Sequence, residues 1–156
     1  MTQNWTETDC FTTFLRAAGP RLHRALEAAF GPSVGEEATA EALAFGWEHW
    51  ARIGVMDNPA GYLYRVGRTR GRRSMRRAPV AFPAVEVDRV PWVEPALPGA
   101  LSSLSERQRT VVVLIHSYQW SFREVAELLG LSRGAVQRHE QRGLAKLRSR
   151  LRGNGS

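Results

Sequence analysis

The chain has 156 residues, 43% of them hydrophobic, which suffices for one medium-sized domain or two small helical ones. A single cysteine, Cys10, excludes an internal disulfide and a cysteine-based zinc cluster, and it suits a reducing cytoplasm. The N-terminal residues have no basic start followed by an apolar run, and the longest aliphatic run covers only residues 111–115. We therefore expect neither a signal peptide nor a membrane span.

The net charge of +7 is unevenly distributed along the chain. Residues 1–64 carry eight acids against four bases, whereas residues 65–77 carry seven arginines and no acid. Residues 78–100 return to three acids and one base, and residues 101–156 hold ten bases against four acids. Two basic regions separated by acidic surface are typical of a protein that contacts nucleic acid at two places and a less anionic partner elsewhere.

The first half of the chain is helical in pattern. Apolar residues recur at helical intervals over residues 8–30, and Gly19-Pro20 interrupts them, which predicts two short helices or one kinked helix. A further helix is expected from Ser33 to about Ile53. Near its end, Trp47 and Trp50 fall on one face, and such a pair is more typical of a hydrophobic core than of a ligand platform.

The next helix is expected over residues 59–77, which contain the seven arginines. Tyr62 and Tyr64 lie among these bases. Aromatic and cationic side chains together favour single-stranded or melted nucleic acid, because bases stack on the rings while arginines contact phosphates. An ordinary basic helix end, favoured by the helix dipole, has a similar pattern.

Residues 78–99 contain five prolines and no helical stripe, so they are expected to form a linker. After it, Ser105 and Gln108 have the spacing of a capping box, and the apolar stripe that follows predicts a helix over about 105–117. We expect this helix to pack against the C-terminal helix pair.

Residues 121–151 have the pattern of a helix-turn-helix. Ser121 and Glu124 form a capping box for the first helix, Gly130 suits a positive φ at the corner, and Ser132 can cap the second helix. The second helix is apolar on the side of Val136 and carries long polar side chains on the other. A capped, cornered pair of this kind favours a helix that enters a DNA groove, although a solvated basic helix is the simpler alternative.

Catalytic patterns are absent from the sequence. There is no glycine-rich phosphate loop and no zinc-protease motif, and the four histidines are too scattered to suggest a site. We therefore expect no enzymatic activity, no cofactor and no metal, with each histidine structural or solvated.

Residues 104–148 resemble region 4 of the bacterial extracytoplasmic-function sigma factors, a class of the sigma-70 family. Residues 58–77, preceded by the AFGWEHWARI stretch of residues 44–53, resemble region 2 of the same proteins more loosely. The resemblance implies an all-α fold of two small helical domains. These are a region 2-like domain over 1–77 and a helix-turn-helix domain of the winged-helix-like or sigma region 4 type over 100–156, joined by the linker 78–99.

The resemblance also implies a function: binding of core RNA polymerase and promoter-specific initiation of transcription in the cytoplasm. The residues expected to read the minus-35 element are Arg123, Ser132, Arg133, Gln137, Arg138 and Arg142. Those expected to contact the minus-10 element or its melted strand are Tyr62, Arg65, Arg68, Thr69, Arg72, Arg73 and Arg76. Those expected to bind polymerase are Glu36, Glu37, Glu41 and Trp47.

This chain departs from the family pattern mainly in region 2. Residues 37–41, Glu-Ala-Thr-Ala-Glu, stand where family members usually carry Asp-Leu-Val-Gln-Glu. Thr69 replaces a common asparagine, and Arg73 replaces a common acid. Polymerase binding weaker than usual for the family and altered minus-10 reading are therefore expected.

The implied partners are core RNA polymerase, double-stranded promoter DNA and an anti-sigma factor. No dimerisation heptad is visible, so we expect a monomer when the protein is free. Two alternatives stay open: a stand-alone helix-turn-helix transcriptional regulator, and a degenerate sigma-like protein that titrates a partner.

Overall fold

The computed structural model describes residues 6–77 and 96–153, and every regular element in these ranges is an α-helix, as the all-α prediction requires. None of these helices combines the length and apolarity needed to cross a membrane. In chain order the helices are α1 (Glu7–Phe30), α2 (Pro32–Glu48), α3 (Trp50–Ile53), α4 (Pro59–Met75), α5 (Leu97–Ser102), α6 (Glu106–His116), α7 (Phe122–Leu129) and α8 (Arg133–Gly153).

Helix α1 is one continuous helix, with Pro20 inside it. It begins with a capping box in which Thr6 and Asp9 each accept a hydrogen bond from the other's backbone N–H. The second half of α1 buries Leu22 and Leu26 completely. This burial compensates for the backbone hydrogen bond that proline cannot donate, so the helix is not divided at Gly19-Pro20.

The helix expected from Ser33 to Ile53 is divided into two. Gly31 turns the chain with a φ of 85°, and α2 begins one residue later at Pro32, whose fixed φ suits a first helical position. His49 has a non-helical ψ of 22° and separates α2 from the single turn of α3.

The two tryptophans near this break differ in environment. Trp50 is buried and packs against Phe11 and Phe14, with ring centroids 5.3 and 4.9 Å away. Trp47 also contacts Phe11, but 48% of it is exposed. The expectation that both would lie in the core is therefore right for Trp50 and wrong for Trp47, because the break at His49 separates their two helices.

Most of the expected linker, 78–99, lies outside the described residues. Its last residues, from Leu97 onward, already belong to α5, where Pro98 occupies one of the first two helical positions. Beyond α5 the chain turns into α6 through the capping box of Ser105 and Gln108, as expected.

Helix α6 lies between the two halves of the molecule and packs against both α1 and α8. Thr110, Val111 and Leu114 are fully buried, and Val112 is nearly so. A helix that is apolar on most sides is normally an interior helix. One hydrophobic core thus runs from α1 through α6 into the helix-turn-helix, and the two predicted domains pack directly on each other.

Candidate nucleic-acid interface

Helices α7 and α8 form the helix-turn-helix that the sequence predicts. Ser121 and Glu124 make the capping box, and Gly130 adopts the left-handed conformation with φ 68°. The backbone N–H of Leu131 then donates to the carbonyl of Ala126 over 3.0 Å, which closes the corner. Ser132 Oγ accepts from the backbone N–H of Ala135 over 3.1 Å and caps α8.

The N-terminal half of α8 presents a polar surface to solvent. The predicted base-reading residues of this surface are all exposed: Ser132, Arg133, Gln137, Arg138 and Arg142. Burial, and then the charges of Arg107, Arg142 and Arg138, lower the pKa of His139, which lies among these cations. This half of α8 is thus a concentrated positive surface, which favours a polyanionic ligand.

The other side of α8 is fixed against α6. Gly143 is buried there, and a Cβ at this position would meet Val112 Cγ2 at only 2.7 Å, so glycine permits the close crossing of the two helices. Glu140 faces the same side, and its carboxylate lies 3.1 Å from His116 Nε2 at the end of α6. Glu140 therefore has a polar partner, although the sequence pattern puts it on the apolar side of α8.

Arg123, at the start of α7, is the remaining residue predicted for the minus-35 group. Its guanidinium lies 3.3 Å from Glu127, one turn along the same helix, and both side chains are largely exposed. An exposed pair of this kind is weak, so the arginine is available to another anion.

Helix α4 carries the second basic surface. Arg65, Thr69, Arg72, Arg73 and Arg76 are exposed along it, whereas Arg68 is partly buried. Thr69 uses its hydroxyl to donate to the carbonyl of Arg65 over 3.1 Å. The predicted minus-10 residues therefore lie along one helix, but their environments differ.

Two of these arginines are bound by a residue from α6. The carboxylate of Glu106 accepts from Arg68 Nε through one oxygen and from Arg72 Nε through the other, the second at 2.7 Å. Burial disfavours the charged form of Glu106, but the hydrogen bonds and charges of the two arginines outweigh it and lower the pKa of this carboxyl. Glu106 is therefore ionised at neutral pH and bridges two arginines one helical turn apart.

Comparisons with known proteins identify the C-terminal part of the chain. Residues 100–149 match the family model described as sigma-70, region 4. These residues form a sigma-70 region 4 domain. A search of curated protein sequences gives no match to the chain.

A solved structure has a similar fold over almost the whole chain. It is the sigma factor RpoE of Bartonella quintana, crystallised with the anti-sigma factor NepR. The two chains share 19% sequence identity with a TM-score of 0.61, and the likeness covers 91% of this chain and 96% of that one. This likeness shows that the two chains share an overall fold.

The two tyrosines of α4 lie in different environments. Tyr62 is half-buried, and the guanidinium groups of Arg52 and Arg65 lie 6.0 and 5.8 Å from its ring centroid. Tyr64 is fully buried, and burial raises its pKa to about 12. Tyr64 therefore cannot stack on a nucleotide base, and the expectation that both tyrosines serve nucleic acid is wrong for Tyr64.

The residues predicted for polymerase lie mainly on α2. Glu36, Glu37 and the half-exposed Trp47 face solvent, and Glu41 is partly buried beside Arg70 of α4, with 3.3 Å between the charged groups. Within the segment 37–41, Ala38 and Thr39 are buried, and Thr39 donates to the carbonyl of Gly35 over 2.6 Å.

The sequence analysis missed the polar contacts that join the region 4 domain to the N-terminal half. Buried Arg109 donates from Nε and Nη2 to the carbonyl of Ala29, over 3.0 and 2.5 Å, and from Nη1 to the carbonyl of Leu104. Asn58, the N-cap of α4, donates to the carbonyl of Glu127 over 2.8 Å. Arg109 lies in the polar first half of α6, just before its apolar run, and its partner in the first contact is 80 residues away.

Two arginines of α1 make further contacts across the same interface. Arg21 lies 3.3 Å from Glu124 and stacks over Trp120 with 4.9 Å to the ring centroid. Arg24 lies over Tyr118 at 5.4 Å. The interface between the two halves thus combines an apolar core with several cation contacts.

Proposed function

We propose that this chain is a sigma factor that binds core RNA polymerase and directs promoter-specific initiation of transcription. The exposed polar half of α8, presented at its N-terminus after a tight corner, is the observation that carries this proposal. In a helix-turn-helix, these turns of the second helix enter the major groove, while more distal residues contact phosphates.

Base reading at the minus-35 element is assigned to three long side chains, Arg133, Gln137 and Arg138. Arginine suits guanine, and glutamine suits adenine, because each can pair with two groups on the base edge. Ser132, Arg142 and Arg123 lie beside or before these residues and contact the DNA backbone or neighbouring bases. Their exposure in the free chain supports this assignment.

The minus-10 element is assigned to α4, through Tyr62, Arg65, Arg68, Thr69, Arg72, Arg73 and Arg76. The partly exposed ring of Tyr62 between two guanidinium groups supports this assignment, because a base can stack on the ring while arginines contact phosphates.

Polymerase binding is assigned to Glu36, Glu37, Glu41 and Trp47 on α2. Positions 37 and 40 are exposed, so family-like residues can be restored there without disturbing the core. We expect the double variant Glu37→Asp with Ala40→Gln to bind core polymerase more tightly than the natural chain in a pull-down titration. An unchanged affinity would contradict the assignment to this part of α2.

The solved relative was crystallised with an anti-sigma factor, and we infer a regulatory partner of that kind for this chain as well. Such a role places the protein in the cytoplasm, where polymerase and promoter DNA are present, as a monomer until it binds.

Run-off transcription with core polymerase tests the whole proposal. Wild-type protein should initiate from a subset of promoters in a library randomised at the minus-35 element. The triple variant Arg133→Ala, Gln137→Ala and Arg138→Ala should lose that preference. A stand-alone regulator would bind duplex DNA without supporting initiation, and a titrating protein would support neither base preference nor initiation.

A further inference from the structure

A cleft of about 410 Å³ lies where the end of α1, the end of α4 and the beginning of α6 meet. Its volume is within the range of about 300–1,000 Å³ that is typical of small-molecule sites. Three guanidinium groups, one carboxylate and two apolar side chains line it, so the lining has an excess of positive charge and favours a small anion. The lining residues are Phe30, Arg72, Met75, Arg76, Glu106 and Arg109.

The floor of the cleft is formed by its two buried residues, Phe30 and Arg109. Helix α1 has no basic residue in its last turn, and Arg109 caps it by donating twice to the carbonyl of Ala29. The ring of Phe30 lies against the backbone of α4 at Gly71, where an added Cβ would clash with it. Three helices thus hold the floor in place, so a ligand does not have to order it on binding.

The rim of the cleft has two exposed guanidinium groups, those of Arg72 and Arg76, one helical turn apart on α4. Arg72 donates to Glu106 through Nε alone, and its two terminal nitrogens have no hydrogen-bond partner among the described residues. Likewise, the side chain of Arg76 forms no ion pair within residues 6–77 and 96–153. Side chains four residues apart on a helix are neighbours, and guanidinium groups bind phosphate through pairs of N–H donors. The two rim arginines can therefore hold one phosphate between them.

The inner lining of the cleft has the chemistry needed for a nucleotide base. Met75 and the edge of Phe30 are apolar, and a thioether makes favourable contacts with aromatic rings. Each carboxylate oxygen of Glu106 accepts one arginine Nε–H and retains a further lone pair. The carboxylate can thus accept two adjacent N–H groups from a ligand. Among the bases, guanine presents such a pair, at N1 and at its exocyclic amino group.

We propose that this cleft binds a free guanine nucleotide. The base lies against Met75 and Glu106, and the phosphate lies between the two rim arginines. Glu106 joins α6 to Arg68 and Arg72 of α4 at one end of the cleft, so a continuous strand cannot run through it, whereas a single nucleotide can enter from the rim.

This site goes beyond the proposed function and does not depend on it. Arg72 and Arg76 are also assigned to the melted strand, so a nucleotide in the cleft competes with that strand for both side chains. This consequence alone rests on the proposed function. It makes the second DNA surface responsive to the concentration of a free nucleotide.

Calorimetric titration of the full chain with guanosine monophosphate tests the site. Binding should be saturable, with a dissociation constant below about 1 mM, as expected for a charged ligand of this size. Arg76→Gln should weaken it by about tenfold, because a charge-assisted hydrogen bond to phosphate is lost. Arg77→Gln is the matched control: it removes the same charge from the next residue, which lines a separate pocket with Glu37 and Glu41, and should change the affinity by less than about twofold.

Two further ligands test the recognition of the base. Inosine monophosphate lacks only the exocyclic amino group of guanosine monophosphate, and it should bind about tenfold more weakly. Inorganic phosphate has no base and should bind more weakly still. In Glu106→Gln the preference for guanosine over inosine monophosphate should be lost, whereas a general change in charge affects both nucleotides alike. Thermal melting of each variant monitors folding.

Each negative outcome has a distinct meaning. No binding of guanosine monophosphate to the wild type, or equal affinities in Arg76→Gln and Arg77→Gln, would overturn the site. Equal affinities for the two nucleotides, or for inorganic phosphate, would overturn the recognition of guanine. None of these titrations contains DNA or polymerase, so their failure leaves the sigma-factor role standing. A chain that binds guanosine monophosphate but supports no initiation would retain this site and overturn the proposed function.

Discussion

Helices α4 and α8 are both rich in arginine, yet their surroundings differ. The long polar side chains on the N-terminal half of α8 face solvent, whereas Arg68 and Arg72 of α4 face a glutamate from α6. By composition alone, the two helices are equally good candidates for binding a polyanion. Basic composition therefore identifies a candidate nucleic-acid surface, while the element packed opposite decides whether that surface is available.

Helix α6 creates this difference because it belongs to both halves of the core. Its buried residues pack against α1 on one side and α8 on the other, and its first turn carries Glu106 to α4. A substitution that loosens the packing of α6 should therefore alter the positions of both α4 and α8. A substitution on the surface of α4 or α8 should alter only the binding properties of that helix.

The largest expected effect comes from the core of α6. Leu114→Ala removes a fully buried side chain and should lower the free energy of unfolding by about 2–5 kcal/mol, measured by urea denaturation. Hydrogen exchange should accelerate in α1 as well as in α8, because both pack on this helix. Ile115→Ala, at a half-buried position of the same helix, is the control and should lower the free energy of unfolding by less. Acceleration confined to α7 and α8 would show that the halves unfold independently.

A pair of matched arginine variants compares the two helices directly. Arg138→Ala should cost about 1–3 kcal/mol in binding to a preferred minus-35 duplex and relax preference at one position. Arg72→Ala should leave that duplex affinity unchanged, because its side chain is on α4 and paired with Glu106. Arg123→Ala should weaken all duplexes alike and reduce the salt dependence. Equal losses for Arg138→Ala and Arg72→Ala would break the distinction between the two surfaces.

The smallest expected effect is the pH dependence of the Glu106 contact. Its pKa is lowered in the folded chain from the ordinary 4.5, so its contribution to stability is present above that value and is lost as the pH falls through the folded pKa. The charged groups around it are the guanidinium groups of Arg68, Arg72 and Arg107. The difference in melting temperature between wild type and Glu106→Gln should thus shrink below about pH 4.5. If the difference in melting temperature does not change with pH, the effect of Glu106→Gln comes from altered packing and not from the loss of charge.

Local signals in the sequence were sufficient to predict much of the region 4 domain. The capping boxes at Ser105 and Ser121, the left-handed Gly130 and the cap at Ser132 all occur as expected. Each of these features depends on residues within four positions of one another. Such short-range chemistry is specified by the sequence before any tertiary contact forms.

Contacts between distant segments could not be predicted in the same way. The helical period showed one packing face on α6, but the run from Val111 to Ile115 is apolar around the helix and indicates a second neighbour. Tyr64 was misassigned for the same reason, since its burial depends on a region 4 helix more than 40 residues later. Partners at such separations are set by tertiary packing, which periodicity does not encode.

The arginine cap on α1 has a consequence for how the chain folds. Arg109 is synthesised 80 residues after Ala29, whose carbonyl it binds. The end of α1 therefore leaves the ribosome before Arg109 has been added to the chain. Contacts of such high sequence separation form late and slow folding, because a long loop must close first. Exchanging the region 4 domain for that of a relative would therefore exchange part of the scaffold of the N-terminal half as well. Chimaeras of this chain should retain Arg109 to keep α1 intact.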